Sequence, residues 1–209
     1  TSLYGEHPYA HASEGTPEAV EKIQVADLKA FYQQYYVASN AVLAMVGDVS
    51  LAQAKALANQ IDAALEAGEK AKPLPVPIAL TKAVNQTIAF DSKQTQIFIG
   101  QLGMQRGDPD YFALYLGNHI LGGSGFGSRL MQEVREKRGL TYSVYSYFSP
   151  MRERGPFLMA TQTRNERADE SIAVIRETLK TFVEKGPTQA ELDAAKDNVL
   201  GGFALKVDS

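Results

Sequence analysis

The stretch Lys72-Pro73-Leu74-Pro75-Val76-Pro77 carries proline at every second position, and no other part of the chain closes off so many conformations. Each ring removes a backbone donor and fixes φ, so the stretch can be neither helix nor central strand and is expected to be a stiff, extended connector. It sets a linker at residues 73–82 between a region 1–72 and a larger body at 83–209.

Upstream, Thr16-Pro17-Glu18 opens a helix with a hydroxyl cap, a first-turn proline and an early acid. Leu28, Phe31, Tyr32 and Tyr35 then recur at helical spacing and predict one buried face. Ala41-Val42-Leu43-Ala44-Met45-Val46, ended by Gly47-Asp48, predicts a short buried strand. Ser50 caps a further helix through Leu57 and Ile61, which stops at Gly68. Downstream, strands are expected over 84–90, 95–100, 141–148 and 157–163. Helices are expected after Asp108-Pro109-Asp110, after Ser128, through Ile172–Val183 and after the capping box Thr188-x-x-Glu191. Strands and helices are grouped, not strictly alternating, which implies α+β with a largely antiparallel sheet.

A net charge of -3 gives no electrostatic footprint for nucleic acid or an anionic membrane, and no apolar run is long enough to span a bilayer. With no cysteine there is no disulfide, thiol nucleophile or thiolate metal site. Thr1 is not an initiator Met, so the chain is expected to begin inside a longer protein, and no compartment is indicated; bacterial periplasm and cytoplasm stay open.

A hydrolytic zinc site needs three protein ligands. The histidines are His7, His11 and His119. Pro8, with Gly5 and Gly15 on either side, argues against a helical face presenting both His7 and His11, so a surface loop is expected there. His119 falls on the apolar face of its helix and reads as a satisfied core histidine. No metal ligand set is therefore expected. The glycine-rich run Gly122, Gly123, Gly125 and Gly127 follows a helix, not a strand, and lacks a Gly-Lys-Ser/Thr ending, so it reads as a helix-to-helix turn and not a phosphate cradle. The densest polar run is 129–142. There Gly139 ends a helix near Arg135 and Tyr142 opens the next strand, and such a reversal can bring a guanidinium and a phenol to one edge. Both groups donate hydrogen bonds suited to a peptide carbonyl or an oxyanion.

These residues, with His7-Pro8-Tyr9, Gly15-Thr16-Pro17-Glu18, Val46-Gly47-Asp48, Leu121-Gly122-Gly123, Ser128-Arg129-Leu130, Gly139-Leu140-Thr141-Tyr142 and Thr188-x-x-Glu191-Leu192, occur in an order and spacing that resembles the C-terminal region of the M16 peptidases. These are the pitrilysin, insulinase and mitochondrial processing peptidase group. The resemblance implies the LuxS/MPP-like metallohydrolase fold, an α/β sandwich, in which two related halves close around a peptide.

It also implies a division of labour. One half carries zinc on an inverted His-x-x-Glu-His helix, while the other supplies an Arg and a Tyr, seven residues apart, to the substrate; Arg135 and Tyr142 match that spacing. The zinc helix has no counterpart here, so the chain alone is expected to carry no catalytic residue and no cofactor, with zinc in a partner half or subunit. A structural scaffold like the bc1 core proteins, or a peptide-binding module without turnover, is the alternative. The glycine run loosely resembles a substrate-guiding loop. Each half of the family ends in helix, apolar strand and helix. Residues 27–65 thus resemble the ending of an upstream half, and strand 41–46 is expected to dock on the 83–209 sheet, within one chain or exchanged in a homodimer.

Overall fold

The computed structural model describes residues 2–207, with side chains described as far as residue 203. The chain forms two compact units, His11–Pro75 and a second joining the residues up to Ala10 with those from Val76 onward.

In the His11–Pro75 unit, helices start where capping chemistry allows them. The Thr16 hydroxyl accepts from Ala19 N–H at the head of α1 (Pro17–Val20), and Asp27 accepts from Gln24 N–H at the head of α2 (Val25–Tyr35). Ser50 and Gln53 form a reciprocal capping box before α3 (Leu51–Ala64). The tight point of the unit is Val37, 3% exposed, bridged in parallel to Glu66; a Cβ on Gly68 would lie 2.5 Å from its Cγ1. Asn40 holds this crossing by accepting from Ala71 N–H at 2.7 Å.

Two expectations fail in this unit. The apolar face of α2 is not buried: Leu28, Phe31 and Tyr32 are all exposed. Residues 41–46 are extended but join no ladder, with Val42 96% and Val46 103% exposed. Apolar periodicity marks a surface that burial would favour, but a strand also needs a partner edge, and among the described residues none pairs with it.

The second unit holds a three-stranded antiparallel sheet of order β1-β3-β2, from β1 (Gln94–Leu102), β2 (Thr141–Phe148) and β3 (Pro156–Arg164). Between β1 and β2, α4 (Tyr111–Asn118) widens at its exit into a π turn at His119–Gly123, and a second π stretch covers Met131–Glu136. α5 (Ala168–Lys185) and α6 (Gln189–Val207) complete the unit. The helical elements cover one sheet face, where Leu130, Val134, Val144, Met159 and Ile175 form the buried core. This is the α+β architecture with an antiparallel sheet that the grouping of elements predicts. Residues 84–90 differ from expectation: they form no strand, and Ile88 and Phe90 are exposed.

Within this unit, and among the described residues, the opposite sheet face is the more exposed one. Period-two alternation places Phe98, Ala160 and Tyr145 in one cross-strand row there, and Gly100, Leu158 and Tyr147 in the next. Phe98, Tyr145 and Tyr147 are exposed.

Candidate functional site: an arginine between two rings

Arg135 and Tyr142 meet as their spacing predicts. Gly139, at φ 58°, closes the Met131–Glu136 helix: its N–H bonds Arg135 O and Leu140 N–H reaches back to Val134 O, the paired bonds of a left-handed glycine stop. The chain reverses at once into β2, and the Arg135 guanidinium carbon lies 5.1 Å from the centre of the Tyr142 ring.

Tyr142 owes its outward direction to a bulge. Thr141 pairs with Thr163 and Val144 with Thr161, so Tyr142 and Ser143 together oppose Gln162. Without the extra residue, Tyr142 would share the parity of buried Val144 and point at the core; instead it is 85% exposed. Hydroxyls stitch the bulge: Thr141 Oγ1 accepts from Ser143 N–H at 3.1 Å, and Thr161 Oγ1 lies 2.8 Å from both Thr141 Oγ1 and Ser143 O.

A third residue, Phe126, completes the site. Its ring centre is 4.5 Å from the Arg135 guanidinium carbon, so the cation lies against two aromatic rings. Phe126 is held in the short turn Gly125–Gly127, where Gly125 adopts φ 66° and buried Ser128 donates from both its N–H and its hydroxyl to Gly125 O. The sequence signal was the phenylalanine inside a glycine run, but its reach to Arg135 depends on how that turn folds back. Of the glycines expected as a loop, Gly123, Gly125 and Gly127 are exposed, whereas Gly122 is buried against β2.

The acid two residues before Arg135 is engaged by other cations. Glu133 takes both Lys137 and Arg138, and those hydrogen bonds, Lys137's first, hold its carboxyl below the usual range. Among the described residues no carboxylate pairs with Arg135.

The histidines do not gather. His7 is not on an open loop but buried, between the rings of Tyr4 and Tyr9, with Nδ1 accepting from Tyr9 N–H at 3.0 Å. His11 is exposed. His119 is half-buried and not satisfied as expected, because its Nε2 is buried without a hydrogen-bond partner among the described residues. Among the described residues no group of three His, Asp or Glu side chains could hold a metal ion.

Both the sequence and the antiparallel sheet backed by helices match known proteins. Residues 22–199 match the model of the peptidase M16 inactive domain, and the chain belongs to that family. It is 32% identical over 207 residues to a protein of Helicobacter pylori named non-peptidase homolog YmxG, spanning 98% of this chain and 47% of that protein. It is 30% identical over 208 residues to the uncharacterized zinc protease YmxG of Bacillus subtilis, spanning 100% of this chain and 50% of that protein. A crystal structure of a peptidase M16 inactive domain from Pseudomonas fluorescens superposes with a TM-score of 0.92 at 49% identity, covering 95% of this chain and 48% of that one. The chain thus spans about half the length of the relatives it matches. Among the described residues no helix is long and apolar enough to cross a membrane.

Proposed function

We propose that this M16 inactive domain binds an extended peptide across its open sheet face and directs Arg135 and Tyr142 at the peptide backbone, for cleavage by a zinc-bearing half or subunit. The observation that carries the reading is the state of Arg135, held against Phe126 and Tyr142 with no carboxylate of its own among the described residues. Two aromatic faces fix the plane of the guanidinium while its N–H edge stays available for a carbonyl or carboxylate. The Tyr142 hydroxyl adds a second donor. The exposed rings of Phe98, Tyr145 and Tyr147 supply apolar surface for substrate side chains. The partner's zinc would supply the activated water; what this chain contributes is orientation of the peptide and hydrogen bonds to charge that develops on the scissile carbonyl.

The test mixes the chain with a zinc-bearing M16 relative and a fluorogenic peptide. Cleavage only in the mixture supports the proposal. Binding without cleavage makes this a peptide-binding module, and neither makes it a scaffold.

A further inference from the structure

Thr161 and Thr163 place hydroxyls on the core side of β3, the side of buried Phe157 and Met159, where packing alone does not ask for them. Thr161 is 5% exposed and pairs with Val144; Thr163 is 2% exposed and pairs with Thr141. Valine has nearly the same shape and suits a strand as well, while a buried hydroxyl is costly unless it is bonded. The bonds of these two all fall on one short stretch at the head of β2. Thr163 donates to Leu140 O. Thr161 Oγ1 lies 2.8 Å from both Ser143 O and Thr141 Oγ1. Thr141 Oγ1 in turn lies 2.8 Å from Ser143 O and 2.7 Å from Gln162 O, and accepts from Ser143 N–H at 3.1 Å. Hydroxyls thus take up backbone groups on both sides of Tyr142, at the place where the β2–β3 register gains a residue.

We infer that Thr161 and Thr163 are positioning residues for Tyr142: from the core side of β3 they hold the bulge that turns the phenol outward to Arg135. They act through the backbone of residues 140–143 and not on the ring itself. A slip of one residue that removed the bulge would give Tyr142 the parity of Val144 and face it to the core. Pinning Leu140 O and Ser143 O opposes that slip from both ends, and holds the ring 5.1 Å from the guanidinium carbon. The consequence for cleavage rests on the function proposed above; the aim of the ring does not.

The experiment reads the chain alone and then the two-component assay. In the chain alone, nuclear Overhauser contacts between the Tyr142 ring and the Arg135 side chain report the aim, and exchange of the Ser143 amide reports the bulge. Thr161→Val and Thr163→Val should each lose the contact and speed Ser143 exchange by roughly tenfold, the weight of one hydrogen bond. Thr161→Ser keeps the hydroxyl and should restore both. If a valine variant does not fold, Thr141→Val, at a half-buried position, removes the third hydroxyl and must lose the same contact. With the zinc-bearing relative, Thr161→Val should lower kcat by roughly 10²-fold, the cost of a misplaced group, with KM little changed. It should cost nothing further on top of Tyr142→Phe. A Thr161→Val chain that keeps the Tyr142–Arg135 contact overturns the inference, as does a Thr161→Ser chain that loses it. A kcat loss that persists undiminished on top of Tyr142→Phe also overturns it, because the threonine then acts on something other than the phenol. Tyr142→Phe at the wild-type rate would sink the cleavage reading instead, and the contact then decides the aim by itself.

Discussion

Arg129 and Glu191, sixty-two residues apart, form a two-pronged ion pair: Nε to Oε1 at 2.6 Å and Nη2 to Oε2 at 2.7 Å. The pair joins two of the motifs that mark the family in the sequence, Ser128-Arg129-Leu130 and Thr188-x-x-Glu191. Arg129 also donates to Gly186 O and lies over the Phe182 ring, while Glu191 accepts from Thr188 N–H and its hydroxyl at the head of α6. One carboxylate thus caps a helix and ties it to the segment that leads into Arg135.

That carboxylate sets an acid limit on stability. The Arg129 hydrogen bonds, outweighing burial and helped by Thr188, hold the Glu191 carboxyl at about 2, against an ordinary value of 4.5. Its pKa is lower folded than unfolded, so its stabilising contribution is complete above 4.5 and is lost as pH falls through that window toward 2. The gap in urea midpoint between the native chain and Glu191→Gln should be widest at neutral pH and shrink steadily below 4.5. A gap that stays constant with pH would show that the pair is not the source.

Arg135→Ala and Tyr142→Phe should each lower turnover in the two-component assay by roughly 10²–10³, the weight of one donor aimed at a developing oxyanion. Urea unfolding should move little for Tyr142→Phe, because the ring stays and the hydroxyl is on an exposed side chain. Wild-type rates for both variants would leave the pair without a role in cleavage.

Phe126 should act through Arg135. An exposed cation–π contact contributes about 0.5–1 kcal/mol, so Phe126→Leu should cost roughly two- to fivefold in turnover, and Phe126→Tyr should restore it. The independent readout is the Arg135 Nε–H resonance, whose ring-current shift should collapse in Phe126→Leu and return in Phe126→Tyr. An unmoved resonance would detach Phe126 from the site.

The sequence made some of this site legible and hid the rest, for physical reasons. Arg135 and Tyr142 could be placed together because a helix, a left-handed glycine and a strand leave the chain one way to turn. The bulge at Tyr142 and Ser143 was hidden, since it depends on register with β3, a partner further along the chain. Phe126 was hidden for a similar reason, since only the folded turn brings it to the guanidinium. Segments 41–46 and 84–90 read as strands because strand-like composition is local, whereas pairing is not. His7 read as a loop residue because Pro8 and the glycines excluded helix, but nothing local foretold that Tyr4 and Tyr9 would enclose it.

The glycine run also divides by position, and one substitution pair exposes the division. Gly122 packs directly on β2: an added Cβ would sit 2.4 Å from Ser146 Oγ, 2.6 Å from Ser146 N and 2.8 Å from Leu130 Cδ1. Ser146 cannot yield easily, because its hydroxyl donates to Asn118 Oδ1 at 2.7 Å while Asn118 Nδ2 donates to Ser146 O. Gly127 is different, since its added Cβ would meet only Ser124 Oγ at 3.7 Å. Gly122→Ala should therefore destabilise the chain by about 1–3 kcal/mol, the usual range for overpacking a fitted interior. Gly127→Ala should leave stability within about 0.5 kcal/mol, as for most surface changes. Chemical denaturation of the two variants side by side decides it. If Gly122→Ala is as stable as Gly127→Ala, the close approach of the His119–Gly123 turn to β2 is not a constraint on the fold, and the glycine there must answer to something other than packing.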